Sequence, residues 1–181
     1  YMIVGARLHD TAASNSGAAY IYTRSGSTWT EQAILYEPTS SADVYFGQNV
    51  KINGDGTVAL VHSDIGFHVF TRSGSTWTHQ QTLRDTDETL SLGAGKYNIL
   101  LNDTGDLLVT SSSANETVKV YSYNGSTWVK VNDITDAGIT SGFNYGANIA
   151  GDKDLTYLVV SEYGSGSAAN SDGKVYFFEA G

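Results

Sequence analysis

Thr-Arg-Ser-Gly-Ser-Thr-Trp-Thr occupies residues 23–30 and recurs, letter for letter, at 71–78; Tyr-Asn-Gly-Ser-Thr-Trp-Val follows at 123–129. Eight identical residues twice in a chain of 181 mark an internal repeat. Trp29, Trp77 and Trp128 are spaced 48 and then 51 residues apart. Ahead of each lies an apolar run: Ala19-Tyr20-Ile21-Tyr22, Phe67-His68-Val69-Phe70 and Val118-Lys119-Val120-Tyr121. A fourth such run is Val175-Tyr176-Phe177-Phe178. Each is preceded by another: Met2-Ile3-Val4-Gly5-Ala6, Val58-Ala59-Leu60-Val61, Leu107-Leu108-Val109 and Tyr157-Leu158-Val159-Val160. Further upstream stand Phe46-Gly47 and Tyr145-Gly146, with Leu92-Gly93-Ala94-Gly95 in the middle copy.

These runs are short, β-branched and aromatic, and Gly, Asn, Asp and Ser separate them, which is the signature of strands joined by hairpins. Gly supplies 20 residues, Tyr 12 and Pro only 1, and no stretch carries a sustained 3.6-residue period. The chain therefore reads as all-β. Each unit contains four strands, A to D, in about 50 residues. Ser-Gly-Ser turns C into D, and an Asn/Asp/Gly turn such as Asn53-Gly54-Asp55-Gly56 joins A to B. Four antiparallel strands per repeat of this length form the blade of a β-propeller. The chain opens on B-C-D, continues through two full blades and closes on A-B-C, giving about 3.5 blades in 14 strands. The expected divisions are 1–36, 37–85, 86–134 and 135–181 of a single propeller segment. Tyr1 is not an initiator Met, so a processed or partial chain is expected, completed by further blades of the same polypeptide or of a neighbouring chain.

The net charge of −9 is spread along the chain, without the basic stripe that nucleic-acid binding requires. No apolar run is long enough for a membrane-spanning helix. Zero Cys excludes disulfide and thiolate chemistry.

Strand B ending in Val4-Gly5-Ala6, strand C in Gly17-Ala18-Ala19-Tyr20-Ile21-Tyr22, and Phe46-Gly47 ahead of strand A resemble the FG-GAP repeat of integrin-α-like propellers. The segment Tyr22–Gln32 is similar to the bacterial and phage form of that repeat. The resemblance implies a non-catalytic recognition, adhesion or structural module, extracellular, on a cell or virion surface, with a protein or glycan as its partner. It also implies calcium in the A–B turn, in the pattern Asp-x-Asn-x-Asp-Gly-x-x-Asp. Asn53, Asp55 and Gly56 match the middle of it, but Lys51 and Ala59 stand at its outer carboxylate positions. Calcium needs roughly six to eight oxygens, so a plain hairpin turn with no cofactor is expected.

Two alternatives rest on the repeated hairpin. Its Gly-x-Thr-Trp ending is the tail of the Asp-box of sialidase propellers, but Arg24, Arg72 and Tyr123 fill the Asp position, and four Arg in all leave too few for a sialidase's arginine cluster. A glycosidase is accordingly the weaker alternative, and the chain is expected not to be an enzyme. Trp29, Trp77 and Trp128 would serve a lectin-like carbohydrate-binding propeller as stacking platforms, or would seal blade against blade. His9, His62, His68 and His79 lack metal-ligand spacing and read as surface or strand residues. Specificity is expected in the B–C loops, which do not repeat, at about 5–17, 62–66, 110–117 and 161–173. The binding candidates there are Asp10, Asn15, Asp64, Asn115, Glu162 and Tyr163.

Overall fold

A computed structural model describes residues 1–10, 13–39, 41–84, 97–113, 116–135, 144–163 and 173–179. Among them lie fourteen strands and no helix. The chain divides into two compact units, Tyr1–Leu90 and Ser91–Gly181.

The first unit holds β1 (Met2–Ala6), β2 (Ala18–Ser25) and β3 (Thr28–Leu35) in one sheet, with β4 (Val50–Ile52), β5 (Val58–Ser63), β6 (Gly66–Ser73) and β7 (Thr76–Leu83) in the next. In the second unit one sheet is β8 (Tyr97–Leu101), β9 (Leu107–Ser112), β10 (Thr117–Tyr123) and β11 (Trp128–Asp133). The other is β12 (Asn148–Gly151), β13 (Tyr157–Glu162) and β14 (Lys174–Glu179). Every sheet is an antiparallel meander in sequence order, so the sheets are B-C-D, A-B-C-D, A-B-C-D and A-B-C as the repeat predicts.

The hairpins follow from their turn chemistry. Gly26 and Gly74 take φ of 60° and 61°, the left-handed conformation that glycine adopts without a steric cost. Arg24 then pairs with Trp29 and Arg72 with Trp77. Both hairpins carry one extra residue at the same place, where the register shifts after Ile21 and after Val69. The A–B turns are closed by their own side chains. Asn53 Oδ1 accepts from the amides of Thr57 and Val58 at 2.9 and 2.8 Å, and Asn102 Oδ1 accepts from Asp106 and Leu107 at 3.1 and 3.0 Å. Asp152 Oδ1 accepts from the Tyr157 amide at 2.8 Å.

Alternate residues of each strand bury toward the neighbouring sheet of the same unit. In the first unit Ala19, Ile21 and Leu35 meet Phe46, Ala59, Val61 and Phe70, with Ile3, Ala33 and Trp77 at the margin. The second unit repeats this position by position: Val118, Val120 and Ile134 meet Tyr145, Leu158, Val160 and Phe178. Close backbone approach explains the small residues. A Cβ on Gly47, whose φ is 95°, would collide with the Ala18 carbonyl oxygen, and one on Gly17 would meet that of Phe46. In the first unit the Phe46-Gly47, Gly5-Ala6 and Gly17-Ala18 pairs thus answer to backbones brought this near to one another.

Candidate functional site

Chemistry gathers where strand B hands over to strand C. In the first unit this end carries residues 7–10 and 13–17, the segment 41–49 that leads into β4, and the Asp64-Ile65 turn. The β1–β2 loop is latched onto the 41–49 segment. The amides of Asp43, Tyr45 and Phe46 donate to the carbonyls of Ser14, Asn15 and Ser16, and Asn15 Nδ2 donates to Asp43 Oδ1 at 2.8 Å. The Asn15 amide is in turn capped by Asp10 Oδ1 at 2.7 Å. Asn15, Asp43 and Tyr45 all have positive φ, so the side-chain bonds hold a backbone that L-residues rarely adopt.

Asp64 lies at the centre of this end. Its amide donates to the Val44 carbonyl at 2.8 Å and its carboxylate accepts from Gln48 Nε2. Burial raises its pKa above the usual carboxylate value, although the Gln48 hydrogen bond and the charge of Arg7 act the other way. The Arg7 guanidinium lies over the Tyr45 ring, 5.7 Å from its centroid. A half-buried carboxylate, a guanidinium, an amide and an aromatic ring thus meet at one loop end. Such a group can take a proton from water and hold an anion.

A polar chain also crosses β5, β6 and β7, buried at Ser63 and His68 and half-buried at Thr82 and His79. Ser63 Oγ and His68 Nε2 are 2.8 Å apart, His68 Nδ1 and Thr82 Oγ1 3.1 Å, and Thr82 Oγ1 and His79 Nε2 3.0 Å. Burial lowers the pKa of His68 to about 4, with Glu37 opposing and His79 and Arg84 assisting. It lowers His62, which stacks on Phe67, to about 3. A Ser–His pair at hydrogen-bond distance has the form of an activated nucleophile. Here both partners are fully buried, so the pair is out of a substrate's reach. The position repeats: in the second unit Tyr176, on the strand equivalent to β6, donates to Glu162 at 2.9 Å where Ser63 and His68 pair in the first.

The sequence candidates fall into four groups. Asp10, Asn15 and Asp64 do come together at the loop end. Glu162 is buried and accepts from Tyr176, with Lys174 at 3.5 Å, while the neighbouring Tyr163 is exposed. The tryptophans separate: Trp77 packs against the core between two sheets, Trp128 is 3% exposed, and Trp29 is 43% exposed under Arg24. Asn115 lies outside the described residues, as do Leu92–Gly95 and the Gly164–Ser167 run.

Arg7, Tyr45, Gln48, Ser63 and Glu37 were not among those candidates. Arg7 and Gln48 were legible as neighbours of the Gly-Ala and aromatic-Gly pairs. Glu37, buried and bonded to Thr39, carried no signal in the sequence. Of the histidines read as surface or strand residues, His62 lies on β5 and His68 on β6, and both are buried: His68 shares the face of Phe70 and His62 that of Leu60. Among the described residues no three His, Asp or Glu side chains form a metal site.

No family model and no curated protein matches the chain. Solved structures do. A Lactobacillus plantarum protein is 15% identical with a TM-score of 0.56, over 90% of this chain and 52% of its own. A proposed 6-phosphogluconolactonase from Bacteroides fragilis is 15% identical with a TM-score of 0.56, over 93% and 50%. A second, from Bacteroides uniformis, is 15% identical with a TM-score of 0.55, over 90% and 48%. The chain spans about half the length of the structures it matches. At this identity the likeness shows the fold: an all-β chain of the β-propeller class, with about 3.5 four-stranded blades.

The FG-GAP resemblance is thereby corrected. The structures of like fold are 6-phosphogluconolactonase-like, and the residues that carried the resemblance are those required where Gly47, Gly17 and Ala18 crowd together. Three further expectations fall with it. A non-catalytic adhesion module, with its lectin-like and glycosidase alternatives, is contradicted by neighbours described as lactonases, and so is the expectation that the chain is not an enzyme. The extracellular, cell-surface or virion location rested on the same resemblance and is withdrawn with it, since two of the structures of like fold are described as 6-phosphogluconolactonases.

Proposed function

We propose that this chain is part of a β-propeller hydrolase acting on sugar lactones. The observation that carries the reading is the shared fold over 93% of the chain with a proposed 6-phosphogluconolactonase. The loop end around Asp64 supports it. A lactone opens when water adds to the ring carbonyl and the acyl–oxygen bond breaks. Asp64 takes the proton from the attacking water and returns it to the departing ring oxygen. Its raised pKa brings it nearer the range in which a carboxylate is an effective base. Arg7, held against Tyr45, offers a positive charge to a phosphate on the sugar.

Hydrolysis of 6-phosphoglucono-δ-lactone and of glucono-δ-lactone, followed against the spontaneous rate, tests the reading. Asp64→Asn should lower kcat about a hundredfold or more on both substrates. Arg7→Gln should raise KM for the phosphorylated lactone alone. No turnover above the spontaneous rate on either substrate overturns the reading, and equal activity in Asp64→Asn overturns the assignment of the base.

A further inference from the structure

The third copy of the repeated hairpin departs from the other two just before its turn glycine, where Asn124 stands in place of Ser25 and Ser73. Asn-Gly occurs in the chain only there and at Asn53-Gly54, and the two asparagines have different surroundings. Asn53, in the β4–β5 turn, is 3% exposed. Its Nδ2 donates to Asp55 Oδ1 at 2.8 Å and to Thr57 Oγ1 at 3.2 Å, while its Oδ1 accepts from the amides of Thr57 and Val58. Asn124, in the β10–β11 turn, is exposed, as are Gly125, Ser126 and Thr127. Its Oδ1 accepts from the amides of Ser126 and Thr127 at 3.0 and 2.9 Å, but its Nδ2 reaches Thr127 Oγ1 only at 3.5 Å. Gly125 takes φ of 93°, and beyond its chain neighbours no atom of the described residues comes within 4 Å of the place a Cβ would occupy.

We propose that Asn124 is a site of spontaneous deamidation, at which the third hairpin acquires an aspartyl or isoaspartyl turn, and that the fold spares Asn53. The backbone nitrogen of Gly125, which no side chain shields, gives its proton to solvent and attacks Asn124 Cγ. As the new C–N bond forms, negative charge passes to Oδ1, where the amides of Ser126 and Thr127 already donate. The Cγ–Nδ2 bond then breaks, and Nδ2 takes a proton from solvent and leaves as ammonia. Water opens the resulting five-membered imide at either carbonyl, giving aspartate or isoaspartate. One water is consumed and one ammonia released, with no change of oxidation state. Asn53 Oδ1 is gripped by two amides in the same way, so the difference lies in burial and in the leaving nitrogen, which is bonded twice there. Each conversion adds a negative charge, and the isoaspartyl form lengthens by one carbon the backbone of a hairpin in which Tyr123 pairs with Trp128. The serines of the other two hairpins carry no amide to lose.

The test incubates the full chain at neutral and mildly alkaline pH and follows both Asn-Gly steps by peptide mass spectrometry, with isoaspartyl methyltransferase to count isoaspartate. In the folded chain Asn124 should convert at least about tenfold faster than Asn53, because reaction at Asn53 must first break the two bonds on its amide nitrogen. In denaturant, where neither turn exists, the two steps should react at similar rates. Asn124→Ser, which restores the residue of the other two hairpins, should leave the fold intact and abolish nearly all conversion. Equal rates at the two asparagines in the folded chain would overturn the proposal, as would conversion at Asn53 alone or none at Asn124 on the timescale of the denatured chain. A difference of the same size in denaturant would overturn it too, since the turns would then not be its cause.

Discussion

The octapeptides at 23–30 and 71–78 are identical in sequence and in hairpin geometry, yet their tryptophans do different things. Trp77 reaches a facing sheet, packs against the core cluster to which Ile21, Ala59 and Phe70 belong, and bonds Gln32. Trp29, on the same register position of β3, stays exposed with Arg24 above it. Local sequence thus sets the turn and the pairing, and what faces the sheet sets the energetic role. The arginines share one contact and differ in the rest. Each lies over its own tryptophan, Arg24 5.8 Å from the Trp29 centroid and Arg72 6.0 Å from that of Trp77, but Arg72 Nη1 also donates to the Gly74 carbonyl at 2.6 Å and its guanidinium lies 4.4 Å over the Tyr1 ring.

The largest difference between the two sheets is predicted in acid. Tyr20 of β2 and His68 of β6 occupy equivalent strand positions, and the second sheet thereby buries an imidazole where the first carries a phenol. The unfolded chain takes up a proton near the ordinary histidine value of 6.5, while folded His68 resists until about 4. Stability is therefore full above about pH 6.5 and falls as pH drops toward 4, by on the order of 3 kcal/mol for this group. His62, lowered to about 3, adds a loss in the same direction. Thermal unfolding from pH 7 to pH 4 should show this drop, and His68→Gln, which can still bond Ser63, should flatten it. An equal pH slope in the variant would place the acid sensitivity elsewhere.

The tryptophans give the next largest effect. Trp77→Ala opens a space between two sheets and should cost roughly 3 kcal/mol, toward the low end for a large aromatic because the ring is only half-buried. Trp29→Ala should cost less than about 0.5 kcal/mol, as expected for an exposed site. Denaturant melts of the two variants measure both. Equal losses would mean that Trp29 is also covered, and the distinction between the hairpins would fail.

How much of this was readable in advance follows from what repeats. Strand order, the glycine turns and the tryptophan spacing are local and recur, so the sequence displays them several times. The core was legible from the apolar runs themselves, as at Phe67–Phe70, where residues on both faces are buried. The strand placement of His62 and His68 was legible from their apolar neighbours, but their burial depends on the facing elements, which no local pattern displays. The loop-end group was half legible: Asp10, Asn15 and Asp64 stand in loops that do not repeat, but their junction with Arg7, Tyr45 and Gln48 depends on backbone bonds between segments about thirty residues apart. Family was misread because Gly5-Ala6, Gly17-Ala18 and Phe46-Gly47 answer to crowded backbones in the first unit, a local steric need that does not identify a family.

A smaller test separates the indole's packing from its hydrogen bond. Gln32→Ala removes the acceptor of Trp77 Nε1 and should cost about 1 kcal/mol, with no counterpart at Trp29. Because the ring is half-buried, water can replace the lost partner, which keeps the loss at the low end. In the double variant Gln32→Ala/Trp77→Ala the two losses should fall short of additive by about that amount, as for any pair in direct contact. Full additivity would mean that Gln32 acts on β3 alone, leaving packing as the sole distinction between the two hairpins.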